Sequence, residues 1–260
     1  MPLERLAAAG RARAEQVRKM MHSSRSLARG LALGVAVVLA VAVAACGSSS
    51  NTQKPSAGTS GPSSLVDNFK SQATKSDFQF EGPLTGSISI SAGADNAAGQ
   101  LTGTAKGKGQ DSAMSITITI AGTTQVQDQI TVGDSTYRRT SGGGWAKTAR
   151  YEASLADLFG AGMKIEDKGV ETKFGQQLHR LEPTNMSELD LAALGLTGIS
   201  GTTNLKISLI VWVKDDGTPA GMNQGTTYDQ DSGGSVAHVT MSTDITFETL
   251  SGVTIEAPSL

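Results

Sequence analysis

Few side chains in this 260-residue chain could make or break a bond. Cys46 is the single cysteine, so no internal disulfide is possible and its thiol is a nucleophile, a bystander or an attachment point. Of the three histidines, His22 lies in an N-terminal leader, and His179 (in "QQLHRLE") and His238 (beside Val239) fall in alternating stretches as surface strand residues do. Two isolated histidines do not make a zinc site, and the sequence contains no HExxH, GxSxG, CxxC or P-loop spacing. Asp215 with Asp216, Asp229 with Asp231, and Glu166 with Asp167 could serve acid–base or calcium chemistry. Each pair reads as part of a turn, where aspartate is favoured for backbone reasons. Gly142 to Gly144 reads as a turn, because no helix follows directly to complete a phosphate cradle. Trp145 and Trp212 lack the aromatic company of a sugar or nucleic-acid platform and read as core or cavity-rim anchors. The expectation is a protein with no catalytic residue, no metal site and no cofactor, and not an enzyme.

The context of Cys46 is more informative. Arg11, Arg13, Arg18, Lys19, Arg25 and Arg29 precede an apolar run from Leu31 to Ala45, which ends in small residues. That is the basic, apolar, small-residue order of a secretory signal. The run is shorter than the ~20 apolar residues that span a bilayer. Val43, Ala44 and Ala45 before Cys46 resemble the bacterial lipobox. The resemblance implies a signal peptide over 1–45, with Met1, Met20 and Met21 as alternative starts, and a Cys46 thiol that takes up diacylglycerol and becomes the mature terminus. Two or three acyl chains, at about 0.8 kcal/mol per buried methylene, hold a protein to a bilayer almost permanently, whereas one chain does not.

Residues 46–63, "CGSSSNTQKPSAGTSGPS", carry no bulky apolar side chain and cannot bury enough surface to offset their ordering entropy, so they read as a flexible leash. The leader holds seven of the 22 Lys and Arg and two of the 24 Asp and Glu, leaving 15 against 22 and a net charge of about −7. A nucleic-acid binder would carry a clustered basic face instead.

From residue 64 onward the length suits one domain with a sizeable core. Leu65, Val66, Phe69 and Ala73 share helical spacing and predict a helix over 64–76. Period-two alternation then dominates, through "FQFEG", "LTGSISISA" and "GQLTGTAKGKG", and most clearly in "SAMSITITIAG" with Met114, Ile116, Ile118 and Ile120. "TQVQDQITVGDSTYRRT" and "GGGWAKTA" continue it. A second helix is expected in "EASLADLFGAG", two strands turning near Phe174 and Gly175 follow, and a third helix is expected in "MSELDLAALGLTG". Leu205, Ile207, Leu209, Val211 and Val213 share one face of the next strand, before an Asp216–Gly217 turn and a return strand. Ala237, Val239, Met241, Ile245 and Phe247 alternate near the end, and "VTIEAP" closes the chain. About ten strands and three short helices result, with connections short enough for antiparallel meanders.

A lipobox cysteine, a polar leash, a short helix, "DSTYRR" then "GGGWAK", a helix, "GQQLHRLEPT", another helix, and "IVWVKDDGTPA" before strands ending "VTIEAP" together resemble the actinobacterial LppX/LprAFG lipoproteins. The resemblance covers nearly the whole mature chain and implies an α+β, β-rich fold. Its core is a strongly curved antiparallel sheet, a half-barrel of the LolA-like kind, with short helices covering the concave face around an apolar cavity. It further implies a membrane-anchored extracytoplasmic lipoprotein that binds an acylated lipid or lipoglycan and transfers or presents it at the cell envelope. A monomer is expected, with an envelope transporter as delivery partner and no nucleic acid.

On that expectation the ligand-binding residues are Ile116, Ile118, Leu155, Leu158, Phe159, Leu191, Leu194, Leu209, Val211 and Val213, with Cys46 as lipidation site. The scarcity of rings supports a cavity, since six Phe, three Tyr and two Trp leave the interior mainly to aliphatic and small residues. Glycines that merely bend and weaken strands are the simpler reading of the Gly content. The alternative from another class is a surface interaction or sensor lipoprotein that uses the same fold without carrying lipid.

Overall fold

Alternation of Ile with Ser and Thr specifies a strand with one dry face, as in Asp111–Ile120, and eleven strands pair into one sheet in the computed structural model of the chain. The structure describes residues 62–260 apart from 74, 76–77, 94, 151–162, 187–201, 233–234 and 249–251. The signal segment, Cys46, the leash as far as residue 61, and the second and third expected helices with Leu155, Leu158, Phe159, Leu191 and Leu194 lie outside the described residues, whereas Pro62 and Ser63, expected in the leash, open the first helix.

Helix α1 (Pro62–Ala73) precedes strands β1 (Gln79–Ala92), β2 (Asp95–Lys108), β3 (Asp111–Ile120), β4 (Thr123–Val132), β5 (Ser135–Thr140) and β6 (Ala146–Ala149). Strands β7 (Ile165–Lys173), β8 (Gln176–Pro183), β9 (Thr202–Val213), β10 (Pro219–Ser232) and β11 (Ser235–Thr246) complete the sheet. Its order is β6-β5-β4-β3-β2-β1-β11-β10-β9-β8-β7, antiparallel throughout. Two meanders, β1–β6 and β7–β11, are thus joined at a seam where the first strand pairs the last, from Leu84 opposite Ile245 to Ser91 opposite His238.

"FQFEG" and "LTGSISISA" are one strand, although Pro83 sits between them. Pro83 pairs Thr104 on the β2 side, while on the β11 side the ladder lapses between the Glu81–Glu248 bridge and Leu84. The missing amide hydrogen therefore costs no ladder bond, as strand prolines require. Residues 252–260 form no strand; the tail is anchored by the Val253 amide donating to Gln79 Oε1 at 2.9 Å.

Two glycines show why the sheet can bend. A Cβ on Gly82 would lie 1.7 Å from the Thr246 carbonyl oxygen, and one on Gly103 would lie 2.0 Å from that of Ser115. Neighbouring backbone occupies the space a side chain would need, on the same face as Leu84 and Leu101. Sharp coiling toward that face is what glycine permits, and the arrangement is consistent with a half-barrel.

Helix α1 buries Leu65, Phe69 and Ala73, one turn apart, and lies beside β7 and β10. Its bounds are Pro62 and Ala73, and Lys75, inside the expected range, is not helical. The Lys70 ammonium donates to the Met163 carbonyl at 3.0 Å, tying the helix to the segment entering β7. At twelve residues it is about 18 Å long, far narrower than an eleven-strand sheet. Among the described residues it is the only helix.

Candidate functional site: the inner face of the sheet

Strand register decides which side chains share a wall. Leu84 on β1 stands opposite Ile245 on one side and Gly103 on the other; Ile88 stands opposite Met241 and Gly99. Leu101 on β2 faces Gly86 and Ile118, and Met222 on β10 faces Ile245 and Val211. Because side chains alternate across a strand, these positions all project to one face, called inner here. They belong to one hydrophobic cluster that runs unbroken across the six adjacent strands β3, β2, β1, β11, β10 and β9. Phe78, Phe80 and Phe247 form a ring cluster by the start of β1, with Phe80 and Phe247 centroids 4.4 Å apart.

The sequence-predicted residues that the structure describes fall on this wall, in two groups. Ile116 and Ile118 are buried on β3; Leu209, Val211 and Val213 are buried on β9. Five strand spacings separate the groups, about 24 Å around the sheet, yet both belong to the same cluster. The residues between them are not among those expected from sequence to bind ligand: Leu84, Ile88 and Ile90 on β1, Leu101 on β2, Met222 and Tyr228 on β10, and Val239, Met241 and Ile245 on β11. Their alternation was legible, but the β1–β11 seam that places them between β3 and β9 was not.

Toward β4 and β5 the inner face turns polar. Gln127 and Gln129 stand opposite Ile116 and Met114, and Gln129 Oε1 accepts a 2.7 Å hydrogen bond from Arg138 Nε. The Thr131 and Thr136 hydroxyls are 3.2 Å apart and fully buried. Amphiphilic ligands suit such a wall, since it offers aliphatic area on one side and hydrogen-bonding groups on the other.

No family model and no curated protein matches this sequence. Among solved structures, the chain is similar to LprF from Mycobacterium bovis, with 12% identity and a TM-score of 0.37, over 78% of this chain and 100% of that one. It is similar also to a LolA superfamily protein from Nitrosomonas europaea, with 11% identity and a TM-score of 0.25, over 74% and 96% of the two chains.

The other residues weighed for chemistry are elsewhere. His179 is half-buried, its Nδ1 2.9 Å from Asp167 Oδ2 and its Nε2 3.5 Å from Asp215 Oδ1. Glu166 and Asp167 lie within β7 rather than in a turn. Asp229 is likewise a strand residue, beside the irregularity in the β9–β10 ladder after Thr227. Asn204, in the left-handed region at φ 55°, donates to Asp229 Oδ2 at 2.6 Å, and His238 Nδ1 lies 2.8 Å from Oδ1. The Asn204 amide, then the histidine, hold that carboxyl below the ordinary carboxylate range. Both oxygens are engaged, which is the opposite of a calcium loop. Among the described residues no three ligating side chains converge on a metal position.

Trp212 is buried on the outer face with Leu178 and Ala220, so it is not a cavity rim. Its indole donates to Glu171 Oε1 at 2.6 Å, Phe174 meets it edge-on at 5.5 Å, and the Lys173 ammonium sits 4.4 Å over its ring. Trp145, after the Gly142–Gly144 turn, stacks under the Arg139 guanidinium at 4.6 Å.

Proposed function

We propose that this chain is a membrane-tethered, extracytoplasmic lipoprotein whose single domain, 64–260, takes the acyl chains of a lipid or lipoglycan against the inner face of its sheet. The observation that carries the reading is one hydrophobic cluster spread over six adjacent strands, interrupted by polar side chains at Gln224, Thr226 and Thr243. A sixteen-carbon chain entering water loses on the order of 13 kcal/mol at about 0.8 kcal/mol per methylene. An aliphatic wall replaces one apolar surrounding by another, so affinity relative to the bilayer can sit near zero and the protein can both load and unload. No bond is made or broken in such a cycle, which is why the reading is not that of an enzyme. In this account residues 1–45 are a signal peptide, Cys46 is acylated, and the polar tract from there to helix α1 is the leash that lets the domain swing between the membrane and an envelope transporter.

The test is to fill the wall. The chain takes up a fluorescent fatty-acyl probe, and Ile118→Trp or Leu101→Trp, which place a ring where aliphatic side chains now meet, reduces uptake at least tenfold while circular dichroism stays that of a folded sheet. Absence of uptake by the unaltered chain favours an interaction or sensor lipoprotein instead.

A further inference from the structure

Strand β10 breaks the aliphatic pattern of the inner face. After Met222 its inward positions are Gln224, Thr226 and Tyr228, and Thr243 of β11 stands directly across from Gln224. On either side the wall is apolar, with Ile207 and Leu209 on β9 and Met241 beside Thr243 on β11. The four polar side chains are as buried as the core, at 4%, 2%, 0% and 1% exposure in the order named. Gln224 Nε2 reaches the Thr226 hydroxyl at 3.4 Å. The Tyr228 and Thr243 hydroxyls have no hydrogen-bond partner among the described residues.

Two unmatched hydroxyls in an aliphatic wall cost stability, since a buried donor left without an acceptor loses more than a made hydrogen bond gains. They also specify a ligand. A bare hydrocarbon would leave both unmet, and a free fatty acid carries its oxygens at one end together with a charge. An ester carbonyl is an uncharged acceptor carried between apolar segments, which is the complement of an O–H donor set in an apolar wall. Burial pushes the Tyr228 phenol up to about 12, so it stays a donor at physiological pH.

We infer that the Tyr228 and Thr243 hydroxyls seat ester carbonyls of the bound lipid and select O-acyl esters over ether-linked or unesterified chains. Tyr228 stands opposite Val239, four residues before Thr243, so the two side chains are rooted about 13 Å apart along the sheet and stand roughly perpendicular to it. Each takes its own carbonyl, which suits a lipid with two or more ester groups. The inference rests on the acyl-chain reading of the inner face, and the experiment separates the two.

The full chain carrying C46A, so that its own anchor cannot compete, is titrated with two probes: tetrapalmitoyl cardiolipin, whose two diacylglycerol ends can reach both hydroxyls, and its tetrahexadecyl ether analogue. The ester lipid binds about tenfold more tightly than the ether lipid. Tyr228→Phe and Thr243→Val each lower ester affinity several-fold and leave ether affinity unchanged. Equal affinity of the unsubstituted wall for both lipids overturns the inference, as does an ester-to-ether ratio that Tyr228→Phe and Thr243→Val both leave intact, which assigns the hydroxyls to hydration alone. Binding of neither probe removes the acyl-chain reading itself, and the ester seat with it.

Discussion

Strands β2 and β10 occupy mirrored places, each one step from the β1–β11 seam, and their inner faces are built on opposite plans. The β2 row is Gly99, Leu101, Gly103, Ala105 and Gly107, set across from Ile88, Gly86, Leu84, Gly82 and Phe80 of β1, so nearly every large side chain meets a small one. The β10 row is Met222, Gln224, Thr226 and Tyr228, full-sized and largely polar. One strand lets the wall close up and bend; the other gives the bent wall hydrogen-bonding groups. Close backbone approach on the inner face thus falls on one side of the seam, and the buried hydroxyls without partners fall on the other.

That division breaks first at the glycines. Gly82→Val sets side-chain atoms onto the Thr246 carbonyl and is expected to cost at least ~3 kcal/mol, read from the urea midpoint. Gly144→Ala, in open space with nothing within 4 Å of its Cβ position, stays within ~0.5 kcal/mol. Equal effects would mean that the close approach on the inner face is not needed for folding.

A cavity-creating change comes next. Leu101→Ala, on the small-residue row but itself fully buried, should cost about 2–5 kcal/mol in the empty protein. Ligand binding to N but not U then raises stability in proportion to RT ln(1 + [L]/Kd), so an acyl lipid should recover part of the loss.

The smallest effect is on β10. Tyr228→Phe removes a hydroxyl without a partner and should leave the empty protein unchanged or up to ~1 kcal/mol more stable. The same variant sharpens a pH signature. The phenol of Tyr228 titrates near 12 in the folded chain and near 10 unfolded, so its protonated form supports the fold fully below about pH 10, and that support is lost as pH rises toward 12. Alkaline melting curves should show a decline in this window that Tyr228→Phe weakens; identical curves would place the phenol in water.

Much of the strand content could be read locally, because burial on one face imposes a period of two. Met114 to Ile120 on β3 and Leu209 to Val213 on β9 were legible for that reason, and so was the Phe174–Gly175 turn, where both residues adopt positive φ. What could not be read was long-range. Nothing within β1 or β11 announces that they pair, so the middle of the inner wall was invisible although each residue in it alternates. That "FQFEG" and "LTGSISISA" continue through Pro83 as one strand is not legible locally, because a proline fits within a strand only where one ladder lapses beside it, which is a property of the partner strand. Trp212, open in the sequence between core and cavity rim, is core on the outer face, opposite the side taken by Leu209, Val211 and Val213. Nothing within "MNQGTTYDQD" marks the polar row on β10 as buried; only register puts it among Leu209, Met241 and Ile207.

The central claim, that the inner face holds acyl chains, is tested most directly by native mass spectrometry of the C46A chain purified from its host without detergent. The expected spectrum is the polypeptide mass plus one lipid, released by organic solvent and identifiable as an O-acyl ester. A bare polypeptide that also takes up no lipid from phosphatidylglycerol vesicles would contradict it.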